Sequence, residues 1–359
     1  MDHVFKIVVI ISCVLASFTS GYSSETDFIV EPIGLMAEET ASPADNRPEL
    51  EDAAAYGDCC DGCPSWPGRV GYVHMWREAP GDAPLLADAD AAGGPPGVGT
   101  PVMFASQFDF GGESGVDASL AWDNGFGQGF QVRYLGVEEF GAEQTFNAGF
   151  NVLEATNPPT DEAFSLFLNQ PILLGFQSEL QSLELLRRQC CGSLNWTYGF
   201  RYVDLDETLS LISTNISDVF NAENALYGFQ LGVDGLLWDN GCGLRVESLA
   251  NAGVYYNNMD ASTQSTAGPV SGQASDGDAV FVGELRLSAL YDISCCLTLR
   301  AGYQLLFLDG VILSADQVSN TGDLNTGVAP GGGFLLPPVN IDKNSLLFHG
   351  LHIGLELCY

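Results

Sequence analysis

From about residue 70 onward, hydrophobic and polar residues alternate with a period of two. In 193–204 one face carries Leu194, Trp196, Tyr198, Phe200 and Tyr202, and the other Asn195, Thr197, Gly199 and Arg201. In 296–307 Leu297, Leu299, Ala301, Tyr303, Leu305 and Phe307 alternate with Thr298, Arg300, Gly302 and Gln304. Segments 225–238, 243–256 and 280–291 repeat the pattern, and 70–77, 101–108, 115–123, 127–138, 145–152 and 176–188 are further candidates. Period-two alternation predicts β-strands with two unlike faces. A water-soluble sandwich alternates too, but its strands usually run about five or six residues. The clearest segments here run about twice that length, with aromatics toward their ends, as an interfacial girdle requires.

The connections alternate in length as well. Short ones fall at 188–192, 239–242 and 292–295, and long polar ones at 205–224, 257–279 and 308–344. Short turns at one end and long loops at the other are the asymmetry of a membrane-spanning antiparallel barrel. The predicted fold is therefore all-β: a transmembrane barrel over 70–359 with about 12 strands, within a range of about 10–14. At the end of the sequence Leu351, Ile353, Leu355, Leu357 and Tyr359 alternate with Gly350, His352, Gly354, Glu356 and Cys358. Leu355, Leu357 and the aromatic Tyr359 resemble the terminal signal by which outer-membrane barrels meet their assembly machinery.

The first 69 residues differ in texture. Lys6 precedes the apolar run Ile7 to Ala16, and small residues follow, so 1–21 read as a secretory signal peptide. The run is about half the length that a spanning helix needs. Residues 22–69 are rich in acid and interrupted by Pro32, Pro43, Pro48, Pro64 and Pro67, and they predict a flexible periplasmic linker. The composition sharpens the picture. The formal net charge of −34 argues against nucleic acid as a partner. Yet 46% of residues are hydrophobic and 16% charged, too apolar for an acidic disordered chain.

A search for chemistry finds little. Lys343 follows Asp342, so no phosphate-binding Gly-Lys-Ser/Thr loop exists, and no Gly-x-Ser-x-Gly elbow occurs. His349 and His352 are three apart, which on a strand sends them to opposite faces and precludes a shared metal. No catalytic residue, metal site or cofactor is therefore assigned, and the chain is not expected to be an enzyme. The polar phase of the strands is more informative. It holds Arg133, Arg201, Asp234, Arg245, Glu247, Glu284, Arg286, Arg300 and Gln304, which are expected to line a wet lumen. An Arg facing lipid at the midplane costs roughly 2–4 kcal/mol, which a lumen spares it. Beyond the signal there are nine cysteines: Cys59, Cys60, Cys63, Cys190, Cys191, Cys242, Cys295, Cys296 and Cys358. In the predicted topology all nine lie at the short-turn rim, where disulfides within the rim or cross-links to cell-envelope proteins are expected.

Four segments also carry a family likeness. Val70-Gly-Tyr-Val-His-Met-Trp-Arg77, Phe130-Gln-Val-Arg-Tyr-Leu-Gly136, Gly199-Phe-Arg-Tyr-Val-Asp-Leu-Asp-Glu207 and Arg300-Ala-Gly-Tyr-Gln-Leu-Leu-Phe-Leu-Asp-Gly310 resemble the β-barrel porins of planctomycetes. The resemblance implies an outer-membrane barrel surrounded by lipid and carries no functional residue with it. The expected function is a porin-like passive channel for small solutes. The alternatives are a non-conducting structural barrel cross-linked through its cysteines, or a secreted soluble β-sandwich that binds a ligand.

Overall fold

The computed structural model describes residues 65–88, 100–147, 152–154, 166–167, 170–191, 194–214, 217–266, 270–320 and 341–358. The expected signal peptide, most of the expected linker, Cys59, Cys60, Cys63 and Tyr359 lie outside the described residues. In chain order the first strands are β1 (Gly68–Arg77), β2 (Pro84–Asp88), β3 (Thr100–Phe104), β4 (Gly112–Asp123), β5 (Gln128–Asn147), β6 (Val152–Glu154) and β7 (Leu166–Phe167). Then follow β8 (Pro171–Cys191), β9 (Leu194–Ile212), β10 (Ser217–Asp239), β11 (Leu244–Ser265), β12 (Val270–Ser294), β13 (Leu297–Ile312), helix α1 (Ser314–Asn320) and β14 (Lys343–Leu357). Ten of these strands close an antiparallel barrel in the order β1-β4-β5-β8-β9-β10-β11-β12-β13-β14, with β14 paired back onto β1. The other four form a separate sheet, β3-β2-β6-β7.

The expected count of about 12 strands is corrected to ten. Of segment 101–108 only the first part joins the separate sheet, as β3, and Ala105–Gln107 form a 3-10 turn, while 145–152 divides between the end of β5 and the start of β6. The polar loops expected at 205–224 and 257–279 are also corrected. They are the continuations of β9 to β12, which run 19–25 residues and leave short connections near 213–216 and 266–269.

The reason is a change of solvent along each strand. Toward the turns, β9 turns Trp196, Phe200 and Tyr202 outward, between 41% and 67% exposed, and buries Thr197 and Arg201 inside. Beyond Tyr202 the faces exchange character. Asp204, Asp206, Thr208 and Ser210 now face outward, while Val203, Leu205, Leu209 and Leu211 are fully buried inside. β8 does the same, with Leu183 and Leu185 outside near the turns and Gln177, Glu179 and Gln181 outside farther up. The lower barrel is thus apolar outside and polar inside, as in a bilayer. The upper barrel is polar outside and mainly apolar inside, as in water, with the buried Arg77–Glu207 pair and Asn224 and Asn257 set among the apolar residues.

Two of the turns are copies of one device. Trp122-Asp-Asn-Gly-Phe-Gly127 joins β4 to β5, and Trp238-Asp-Asn-Gly-Cys-Gly243 joins β10 to β11. In the first, Asp123 Oδ1 accepts from Gly125 N at 2.7 Å and Asn124 Oδ1 from Phe126 N at 2.8 Å. In the second, Asp239 and Asn240 make the same bonds at 2.7 and 2.8 Å. Gly125, Gly127, Gly241 and Gly243 all have positive φ, between 68° and 89°, which a side chain disfavours.

The upper lumen is filled. Leu85 and Leu86 of β2, Met103 of β3 and the following Ala105 and Phe108 join one buried cluster with Ile172, Leu174, Phe176, Leu209 and Leu211 of the barrel wall. Leu313, Ala315 and Val318, at and within α1, belong to the same cluster. Phe176 packs on Phe108 and Phe110 at ring-centroid distances of 5.6 and 4.9 Å. The separate sheet and α1 therefore act together as a hydrophobic stopper on the barrel wall.

Candidate functional site

Below the stopper the inward face is charged. Arg133 on β5 donates to Asp117 of β4 at 3.0 and 3.1 Å, to Glu184 of β8 at 2.9 Å and to Glu284 of β12 at 2.7 Å. Arg201 on β9 reaches Glu284 at 2.7 Å and Ser182 at 2.8 Å, and Arg286 reaches Asp117 at 2.8 Å and Glu284 at 3.2 Å. Glu184 also accepts from Gln230 at 2.8 Å, whose Oε1 accepts from Tyr255 at 2.9 Å. Three guanidinium groups thus meet three carboxylates in a layer that bridges the lumen and sums to zero charge. Each buried charge has a partner, as burial demands.

A second charged tier lies nearer the turns. Arg300 reaches Glu247 at 2.7 Å and Glu356 at 3.3 Å, Arg69 reaches Glu356 at 2.9 Å, and Asn195 donates to Asp234 at 3.0 Å. Arg245 sits at the rim with Asp292 at 2.7 Å. Gln304 is buried beside Met75, its Nε2 3.3 Å from the Met75 sulfur. The two tiers border a vestibule of about 860 Å3, counted with the solvent at its mouth, which Ser288 and His352 also line. Ser288 Oγ lies 3.1 Å from His352 Nε2. Arg201 Nη2, Arg286 Nε and Arg300 Nε are buried without a hydrogen-bond partner among the described residues.

Every one of the nine polar residues chosen from the sequence falls on the inward phase of its strand. Arg133, Arg201, Glu284 and Arg286 come together in one layer, Arg300, Glu247 and Asp234 in the next, and Arg245 and Gln304 lie apart. Sequence reasoning missed Asp117, Glu184, Arg69, Glu356 and His352. Strand parity names them, since Glu184 lies two residues past Ser182 on the inward phase of β8. His349 and His352 face opposite sides of the wall, the first outward beside Tyr303 and the second inward.

The cysteines gather at one end. Cys190 and Cys191 end β8, Cys242 lies in the β10–β11 turn, Cys295 and Cys296 join β12 to β13, and Cys358 follows β14. All six are at the turn end of the barrel. Cys191, Cys242, Cys295 and Cys296 are free, exposed thiols, so the expected disulfides do not join these four to one another. The Cys358 N–H donates to Cys296 O at 3.1 Å, continuing the β13–β14 ladder past Leu357. Leu355 and Leu357 point outward, 43% and 52% exposed.

The family model described as putative beta barrel porin-7 (BBP7) matches residues 171–359, from the start of β8 onward. The chain belongs to this family. No curated protein sequence matches it. Among solved structures, the outer membrane protease OmpT of Escherichia coli is similar over 86% of this chain and 100% of its own, at 6% identity and a TM-score of 0.44. The TodX monoaromatic hydrocarbon channel is similar over 83% of this chain and 90% of its own (10% identity, TM-score 0.26). The anion-selective porin of Comamonas acidovorans is similar over 82% and 99% (10% identity, TM-score 0.17). At such identities the likeness concerns the fold alone. The expectation that the chain is not an enzyme is corrected by the first of these.

Proposed function

We propose that this member of the family is an outer-membrane channel for small polar solutes, closed in the conformation described. The observation that supports it is the charged lower lumen inside an apolar outer band, where Arg69, Arg133, Arg286 and Arg300 line the vestibule beside Asp117, Glu184 and Glu247. Ten strands enclose a narrow interior, since wide aqueous pores belong to about 16–18 strands. Solutes would have to be small, and passage would require the stopper to move. In this reading residues 1–21 direct export, Tyr359 with Leu355 and Leu357 engages the assembly machinery, lipid surrounds the lower barrel and the turn end faces the periplasm.

A second reading is favoured by the filled upper lumen: a structural barrel that conducts little and is cross-linked to the envelope through its cysteines. Planar-bilayer recording of the purified barrel separates the two. The channel reading expects small discrete steps, enlarged when 84–104 are replaced by a short Gly-Ser linker. Silence from both proteins, each correctly folded, would favour the structural barrel.

A further inference from the structure

On the outer face, where β4, β1, β14 and β13 lie side by side, five aromatic and histidine rings form a continuous group. Tyr72, His74 and Trp76 occupy successive outward positions of β1, and His349 lies directly across from Trp76 on β14. Trp76 meets His74 edge-on at 4.7 Å and stacks with His349 at 5.8 Å, and His349 stacks with Tyr303 at 6.0 Å. Below them on the same face Ile353, Leu355 and Leu357 form the apolar band, and above them Glu78 is exposed. The group therefore sits at the upper edge of the band.

Its hydrogen bonding is directional. Tyr303 Oη lies 2.6 Å from His349 Nδ1, and Tyr72 Oη lies 3.5 Å from His74 Nδ1 and 2.9 Å from Ser114 Oγ. A phenol donating to Nδ1 places the ring proton on Nε2, so Nε2–H becomes a donor. Among the described residues no acceptor is recorded for His74 Nε2, His349 Nε2 or Trp76 Nε1. Two of these nitrogens converge on Gly112. A Cβ built there would stand 2.4 Å from His74 Nε2 and 2.6 Å from Trp76 Nε1, so any larger residue would have to push these rings aside. At the adjacent Gly111 a Cβ would meet nothing within 4 Å, so the ground beside the donors is open.

We propose that this group binds the phosphate of an outer-leaflet lipid headgroup, with Trp76, His74 and His349 donating to its oxygens and Ser114 beside them. The proposal rests on the membrane-spanning reading of the lower barrel. An apolar band below and water above leave a headgroup as the species at this height, and unmatched N–H donors select its phosphate rather than its chains.

The test uses the full barrel folded in phosphate-free alkyl-maltoside micelles, with folding checked by heat-modifiable gel migration. Failure there would count against the barrel reading and not against this site. Short-chain phosphatidylglycerol is titrated and bound lipid counted by native mass spectrometry. One to a few lipids per barrel are expected. In Trp76→Phe/His349→Phe, which keeps the ring stack and removes two donors, and separately in Gly112→Ala, affinity should fall at least about fivefold. Unchanged binding in both variants would overturn the proposal. Competition in the unaltered protein decides the matter even if a variant misfolds. Equal competition by the matching diacylglycerol would reduce the site to apolar contact, and equal competition by inorganic phosphate would make it a soluble-anion site. Either result refutes the assignment.

Discussion

Glu284 is the hinge of the ionic layer, because it accepts from Arg133, Arg201 and Arg286 at 2.7, 2.7 and 3.2 Å. Glu284→Gln keeps the volume and one acceptor but removes a negative charge that three guanidiniums share. Arg133 and Arg286 retain Asp117, at 3.0 and 2.8 Å. Arg201 is left with Ser182 and with Glu184 at the longer distance of 3.7 Å. Its side chain is only 1% exposed, so water cannot make up the difference. Removing one member of such a buried set costs roughly 3–5 kcal/mol, and the retained amide oxygen places this case near about 3. With a urea slope of about 1–3 kcal/mol per molar, the unfolding midpoint in micelles should fall by about 1–3 M. The charge-balanced double variant Glu284→Gln/Arg201→Gln should recover much of that loss, because it deletes the charge left stranded. If the protein conducts, the single variant should also move the reversal potential toward anions, since the layer then carries one excess positive charge. A single variant as stable as the parent, or a double variant no better than the single, would show that the layer is not coupled as its geometry implies.

Two further outcomes follow from the outer surface. Glu179, Asp206, Glu223 and Asp260 stand directly opposite one another on four adjacent strands above the apolar band. Partial burial first, and then Asp204, Glu223 and Glu179, push the Asp206 carboxyl up from 3.8 to about 6. Since the folded form holds its proton at higher pH than the unfolded chain, stability should fall as pH rises from about 4 to about 6 and stay reduced above. Asp206→Asn should therefore raise the midpoint at pH 8, by no more than about 1 kcal/mol after screening of this exposed group, and leave it unchanged at pH 4. A gain of equal size at both values would point to packing instead. Membrane-impermeant maleimide on intact, reduced cells should leave Cys191, Cys242, Cys295 and Cys296 unlabelled. A cysteine introduced at Thr266, exposed at the opposite end, should label readily, and the reverse pattern would invert the proposed orientation.

Much of this was legible in the sequence, for a definite reason. Alternation over 193–204, 225–238 and 280–291 named barrel strands correctly, because in those segments the lipid side is aromatic and the lumen side polar. Segment 257–279 reads as a loop for the same reason reversed: above Tyr256 the outward residues are Asn258, Asp260 and Ser262, which look like a polar loop although β11 runs to Ser265. Its inward partners Met259 and Ala261 are fully buried and carried the missing signal. The repeated Trp-Asp-Asn-Gly-x-Gly turn was readable as well, and comparing 122–127 with 238–243 finds it without structure. The charge balance of the lumen was not readable. The sequence shows five Arg on the polar phase, but which carboxylate each one meets depends on closure. Arg133 and Glu284 are 151 positions apart.

The exchange of faces near Tyr202 and Tyr256 has a consequence for any opening of the barrel. A strand cannot rotate its side chains partway along, so when its outer face passes from lipid to water its inner face must pass from polar to apolar if both halves are to be stable. The ionic layer and the hydrophobic stopper are thus two products of one rule. They differ in what opens them. The layer is neutral and is held by charge pairs that can change partners within it, since Arg133, Arg201 and Arg286 share Glu284. The stopper places Leu85, Leu86 and Met103 at 1% exposure or less. At roughly 1.5–3 kcal/mol for each fully buried side chain, these three alone hold it with about 4–9 kcal/mol before the entropy gained on release is counted. For the proposed channel, release of the stopper is therefore the step to control, and a force or a ligand at the loop end is where that control would act.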